Sequence, residues 1–113
     1  MPPITTRTLQ ILLALVDGPL HGYGIKQSVE ESTDGAVRLG SGTLYEIVHR
    51  LVQQGHIEEV SAPEDEPPAG GPPRRFYAIT TAGRSMLRDE LRRMDSVVRF
   101  ARERDLIDEE IAG

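Results

Sequence analysis

Three histidines, His21, His49 and His56, are the first residues to ask for acid–base or metal chemistry in this 113-residue chain. His21 stands at the start of a predicted helix, where an imidazole serves as a cap. His49 falls on the outer face of a predicted helix, and His56 opens a predicted strand. No acidic residue stands at a spacing that suggests a catalytic triad. The His49-x6-His56 spacing has no tetrahedral zinc signature. The "GSG" at Gly40–Gly42 is too short to cradle a phosphate. The chain has no cysteine, which removes thiolate catalysis, thiolate metal sites and disulfides. The residues therefore predict a protein that is not an enzyme and carries no cofactor or metal.

A second set of residues supports different chemistry. In "GSGTLYEIVHRLVQQGHIE" (Gly40–Glu58), Leu44, Ile47, Val48 and Leu51 recur as the apolar stripe of a helix. Advancing about 100° per residue, Gly42, Glu46, His49 and Gln53 point most directly away from that stripe, with Thr43, Tyr45 and Arg50 at its flanks. These side chains donate and accept hydrogen bonds, and Gly42 permits close approach. A helix in the DNA major groove needs such a set, because each base pair shows its own donor and acceptor pattern there. Gln53 suits adenine, Arg50 suits guanine or a phosphate, and Glu46 suits the cytosine amino group. Thr43 and Tyr45 can donate to phosphate oxygens. A merely solvated helix face carries the same residue types, so the surrounding elements decide.

Those elements follow from pattern and punctuation. Apolar residues are dense from Ile4 to Val16, with Leu9, Leu12, Leu13 and Val16 at helical spacing, and Asp17-Gly18-Pro19 stops the helix. "HGYGIKQSVEES" predicts a shorter helix with Tyr23, Ile25 and Val29 as its apolar contacts. Ser41 is the expected N-cap of the third helix and Gly55 its C-cap. "HIEEVSA" and "RRFYAIT" predict a two-stranded hairpin, the second strand alternating Tyr77 and Ile79 with Phe76 and Ala78. The intervening "PEDEPPAGGPP" predicts a mobile loop. Thr81, with Thr80 nearly as suitable, is expected to cap a last helix running to about Leu106. On it Leu87, Leu91, Met94, Val98 and Ala101 form a narrow seam suited to the same helix of a second copy. The expected fold is mainly α with a small β-hairpin: a winged helix-turn-helix over residues 1–80, then a C-terminal dimerisation helix and tail over 81–113.

The formal net charge of −5 argues against nucleic acid only if charge is spread evenly, and it is not. Most of the thirteen basic residues lie from Arg74 onward. Arg74 and Arg75 begin the predicted second strand of the wing, as natural phosphate contacts. The longest apolar run, Ile11 to Val16, is far below the ~20 residues of a membrane span. The first residues lack the features of a signal peptide, so a cytoplasmic protein is expected.

"LLALVDGPLHGYGIKQSV", "SGTLYEIVHRLVQQGHIE" and "RRFYAITTAGRSML" resemble, in order and spacing, the three signature blocks of the PadR family of bacterial transcriptional regulators. The resemblance implies a homodimer whose winged domains bind a palindromic operator, usually to repress. It also implies pairing through the C-terminal helix, sometimes with the N-terminal one. By position it places Tyr23, Ser41, Thr43, Tyr45 and Arg50 toward DNA and Arg74 and Arg75 on the wing. It makes Leu44, Leu51, Ile57 and Gly83 structural. The chain departs from the family's pattern at Glu46, where proline is usual, and at the wing tip. There Glu64, Asp65 and Glu66 replace the usual basic residues, and phosphate charge repels such a tip. The resemblance also implies a small-molecule effector, which no residue identifies. The competing expectation keeps the fold and turns the third helix toward another protein instead of DNA.

Overall fold

The computed structural model describes residues 4–66 and 74–108. In chain order the elements are α1 (Thr6–Ala14), β1 (Leu20–His21), α2 (Gly22–Ser32), α3 (Ser41–Gln53), β2 (Ile57–Val60), β3 (Phe76–Ile79) and α4 (Thr81–Glu103). This is the expected mainly helical winged helix-turn-helix, with a third strand added. Two residues carry no periodicity, so β1 leaves no pattern in the sequence. It pairs antiparallel with β3, Leu20 opposite Tyr77 and His21 opposite Phe76, and the sheet order is β1-β3-β2.

The core lies between α1, α2, α3 and the inner face of the sheet. Ile11, Leu12, Ile25, Val29, Leu39 and Leu51 are each no more than 1% exposed, and each contributes about 1.5–3 kcal/mol by burial. The stripe on α3 is buried as its spacing requires, through Leu44, Ile47, Val48 and Leu51. On α1 the buried set is Leu9, Ile11, Leu12 and Leu15. Of the residues at helical spacing, Leu13 is exposed and half-buried Val16 packs at the margin of the core, both facing α4. α1 is apolar around most of its circumference, so spacing alone does not select the inner face. On α2, Ile25 and Val29 are buried but Tyr23 is 65% exposed, so Tyr23 is not a core contact.

Two helix starts differ from expectation by one residue. α3 is capped by Gly40, with no side-chain cap bond, and Ser41 is its first helical residue. The reason lies upstream: buried Leu39 anchors the chain, and extended Gly40 accepts the first helical bond from Leu44. α4 is capped by Thr80, not Thr81, because Thr80 alone reaches two elements. Its hydroxyl accepts from Gly83 N–H at 3.1 Å and donates to Gly55 carbonyl at 2.6 Å. Gly83 seals the junction. A Cβ there would stand 2.0 Å from the His56 carbonyl oxygen, so no other residue lets α4 sit this close to the end of α3.

The first turns of α4 belong to the winged core, since Gly83 and Leu87 are buried in it. Arg84 also donates to the Val16 carbonyl at 2.9 Å, tying α4 to the end of α1. α4 ends at Glu103, short of the expected Leu106. Asp105 takes the left-handed conformation (φ 59°), and Leu106 N–H closes back on Ala101 carbonyl. Within the expected wing loop, Pro67–Pro73 lie outside the described residues, as do Glu109 and Glu110 of the acidic tail.

Candidate nucleic-acid interface

The outer face of α3 is open over its whole length. Ser41, Gly42, Thr43, Tyr45, Glu46, His49, Arg50 and Gln53 are all exposed, and a Cβ on Gly42 would meet nothing within 4 Å. With Gly40 as cap, the Ser41 hydroxyl makes no cap bond and stands at the open end of the helix beside Thr43. Tyr45 is held by the neighbouring helix: a Cβ on Gly22 would lie 2.5 Å from its hydroxyl, so the bare glycine makes room for the phenol. α2 and α3 are thereby locked at this end, and Tyr45 stays 52% exposed. Arg50 and Glu46, one turn apart, stand 3.8 Å from each other. Both are more than half exposed, and such a pair is worth well under 1 kcal/mol. A phosphate or base edge can replace it.

The wing approaches α3 along a cavity of about 340 Å³ lined by Tyr45, His49, Val52, Glu59, Arg75 and Tyr77. Arg75 lies at its mouth, 3.6 Å from Glu59. Tyr77 forms the floor. Burial, then the Glu59 carboxylate, push its phenol above the ordinary value, so it stays a neutral donor at physiological pH. Beyond it Tyr77 and Ile79 join the core, while Phe76 is buried on the other face under the His21 ring, with centroids 5.3 Å apart.

Arg74 occupies the other side of the wing. Its Nη1 lies 3.0 Å from His21 Nε2. His21 is also the N-cap of α2, its Nδ1 accepting from Gly24 N–H at 3.0 Å. Exposed Tyr23 lies alongside, its ring 6.4 Å from the imidazole. Tyr45 and Arg75 thus meet beside the polar face of α3, which carries Arg50, and Arg74 joins His21 and Tyr23 at the start of α2. The sequence led to each of these by its element. It did not lead to the pairing of His21 with Arg74 or of Glu59 with Arg75, because both cross between elements and depend on the sheet register.

The acidic tip forms a turn at Glu64 and Asp65, with Glu66 N–H donating to Pro63 carbonyl. Among the described residues, no three His, Asp or Glu side chains cluster as a metal site would require. Nor is any helix long and apolar enough to cross a membrane.

On α4 the predicted seam divides in two. Leu87, 4% exposed, is a core residue of its own domain. Leu91 and Met94 are 38% and 43% exposed, and Val98 and Ala101 are half-buried. Leu91 shares with Leu13, Val16 and Leu87 an apolar groove of about 480 Å³ between α1 and α4, rimmed by Arg84, Arg88, Arg92 and Asp95. Phe100, on another face, is covered by the Arg104 guanidinium at 3.3 Å from the ring centroid.

Comparison with known proteins agrees with this arrangement. The Transcriptional regulator PadR-like family matches residues 11–89. The chain is 31% identical over 91 residues to the transcriptional regulator Rv3488 of Mycobacterium tuberculosis, covering 80% of this chain and 78% of that one. It is 36% identical over 84 residues, 74% of its length, to an uncharacterized 37.1 kDa protein in transposon TN4556 of Streptomyces fradiae. The match spans only 21% of that much longer relative. The fold is similar to that of Bacillus subtilis PadR in complex with operator DNA. There the TM-score is 0.64 at 22% identity, over 77% of this chain and 47% of the other. The elements, the three signature blocks and the matched span agree: the chain belongs to the PadR-like family of transcriptional regulators.

Proposed function

We propose that the protein is a sequence-specific DNA-binding regulator that works as a homodimer on a palindromic operator and represses transcription by occupying it. The observation that carries this reading is the open polar face of α3, flanked by Arg50, Arg74 and Arg75 and backed by the wing. Gln53, His49 and Glu46 read base edges in the major groove. Ser41, Thr43, Tyr45, Tyr23 and the wing arginines hold phosphates. Residues 1–80 supply the reading head, and α4 with its tail (81–113) pairs two copies. Leu91, Met94, Val98 and Ala101 form the pairing seam, extended by the Leu13–Val16 groove, which gives a second helix an apolar bed. A small-molecule effector would act on that pairing, since the seam and groove carry the open apolar surface.

A protein-interaction module is the second reading, favoured by the Glu46–Arg50 pair and the acidic tip, which offset positive charge on the same face. Arg50→Ala separates the two. On the DNA reading it lowers operator affinity by about tenfold or more and leaves the mass in solution unchanged. Unaltered DNA binding by Arg50→Ala would favour the second reading.

A further inference from the structure

We infer that His21 is a further phosphate-contacting residue, acting with Arg74 as a two-sided clamp that joins α2 to the wing; this rests on the DNA reading above. His21 Nδ1 accepts from Gly24 N–H at 3.0 Å, so in the neutral ring the proton must sit on Nε2. That Nε2–H faces Arg74 Nη1 at 3.0 Å. A guanidinium has donors and no acceptor. Two donors therefore meet, and neither satisfies the other.

The alternative tautomer moves the proton to Nδ1. It would let Nε2 accept from Arg74, but the α2 cap would then face a second N–H in place of an acceptor. The ring cannot serve both contacts at once. An acceptor oxygen that takes both Nε2–H and Nη1–H resolves the conflict, and a backbone phosphodiester offers two non-bridging oxygens. The ring is also held for the purpose. Phe76 packs against it in a T-shaped contact, the cap fixes its rotation, and Tyr23 stacks alongside. Among the described residues Arg74 pairs with no carboxylate, whereas Arg75 would have to leave Glu59. The cap and the phosphate contact are thus two uses of one imidazole, with the first setting the proton needed by the second.

His21→Ser tests this directly, because serine is among the best N-caps and is too short to carry a donor out to where Nε2–H stands. A 30-base-pair random-sequence duplex is the probe, with binding followed by fluorescence anisotropy across a salt series. His21→Ser should stay folded by circular dichroism and bind about tenfold more weakly. Its salt slope should be unchanged, since a neutral donor is lost. Arg74→Gln should reduce that slope by roughly one. Long-range proton–nitrogen correlation on the free wild type should show the Nε2–H form, with that proton shifting when duplex is added. An Nδ1–H ring, or a stable His21→Ser protein that binds as tightly as wild type, would overturn the clamp. Wild-type protein that binds no duplex under any salt would instead overturn the DNA reading, and the tautomer would still be measurable.

Discussion

At the scale of single residues, the interface depends on groups that serve two elements at once. Tyr77 belongs to the core and to the cavity beneath Arg75, and its raised pKa has a consequence for stability. The folded protein holds the phenolic proton more tightly than the unfolded chain does. Stability is therefore unaffected well below the ordinary tyrosine value of 10.0 and falls as pH rises through it toward the higher folded value. Thermal melting across this range should show a decline in Tyr77→Phe that is shallower than in wild type. Equal slopes would mean the phenol titrates freely. Such roles were partly legible in the sequence. Gly83 is marked as structural by the family pattern, but its reason, the His56 carbonyl 2.0 Å from where a Cβ would stand, needs the packed junction. His21 reads as a cap from its position, whereas its contact with Arg74 spans 53 residues and no local pattern encodes it.

At the scale of elements, α3 was readable because one amphipathic stripe at helical spacing specifies both its inner and outer faces. α1 was readable as a helix but not as a face. Its apolar residues surround it, and only packing against α2 and α4 leaves Leu13 outside and Val16 at the margin of the core. β1 is too short to register, and it forms because β3 offers a free edge at Phe76 and Tyr77. α4 has two functions in sequence: the portion through Leu87 completes the domain, and the portion from Leu91 onward presents apolar surface that its own chain leaves uncovered. Replacing Leu91 and Met94 together by aspartate should then halve the mass seen by light scattering and leave the far-ultraviolet circular dichroism intact. Loss of helix signal instead would place these residues in the fold of the single chain.

At the scale of the whole molecule, a chain of net charge −5 is asked to hold a polyanion. Local placement resolves this. Arg50, Arg74 and Arg75 surround α3, whereas acidic residues concentrate at the wing tip and along α4, where Asp89, Glu90 and Asp95 pair with arginines. On the proposed pairing, three arginines per copy would give about six phosphate contacts, and log affinity should fall with log salt at a slope of roughly −5. Two reading heads paired as proposed would also fix the spacing of what they read. Selection of binding sites from a random pool by the purified protein, followed by the mass of the selected complex, tests this most directly. The account predicts an inverted repeat with half-sites about one helical turn, ~10 base pairs, apart, held by two chains per duplex. Recovery of unenriched sequence, or of a single half-site bound by one chain, would contradict it.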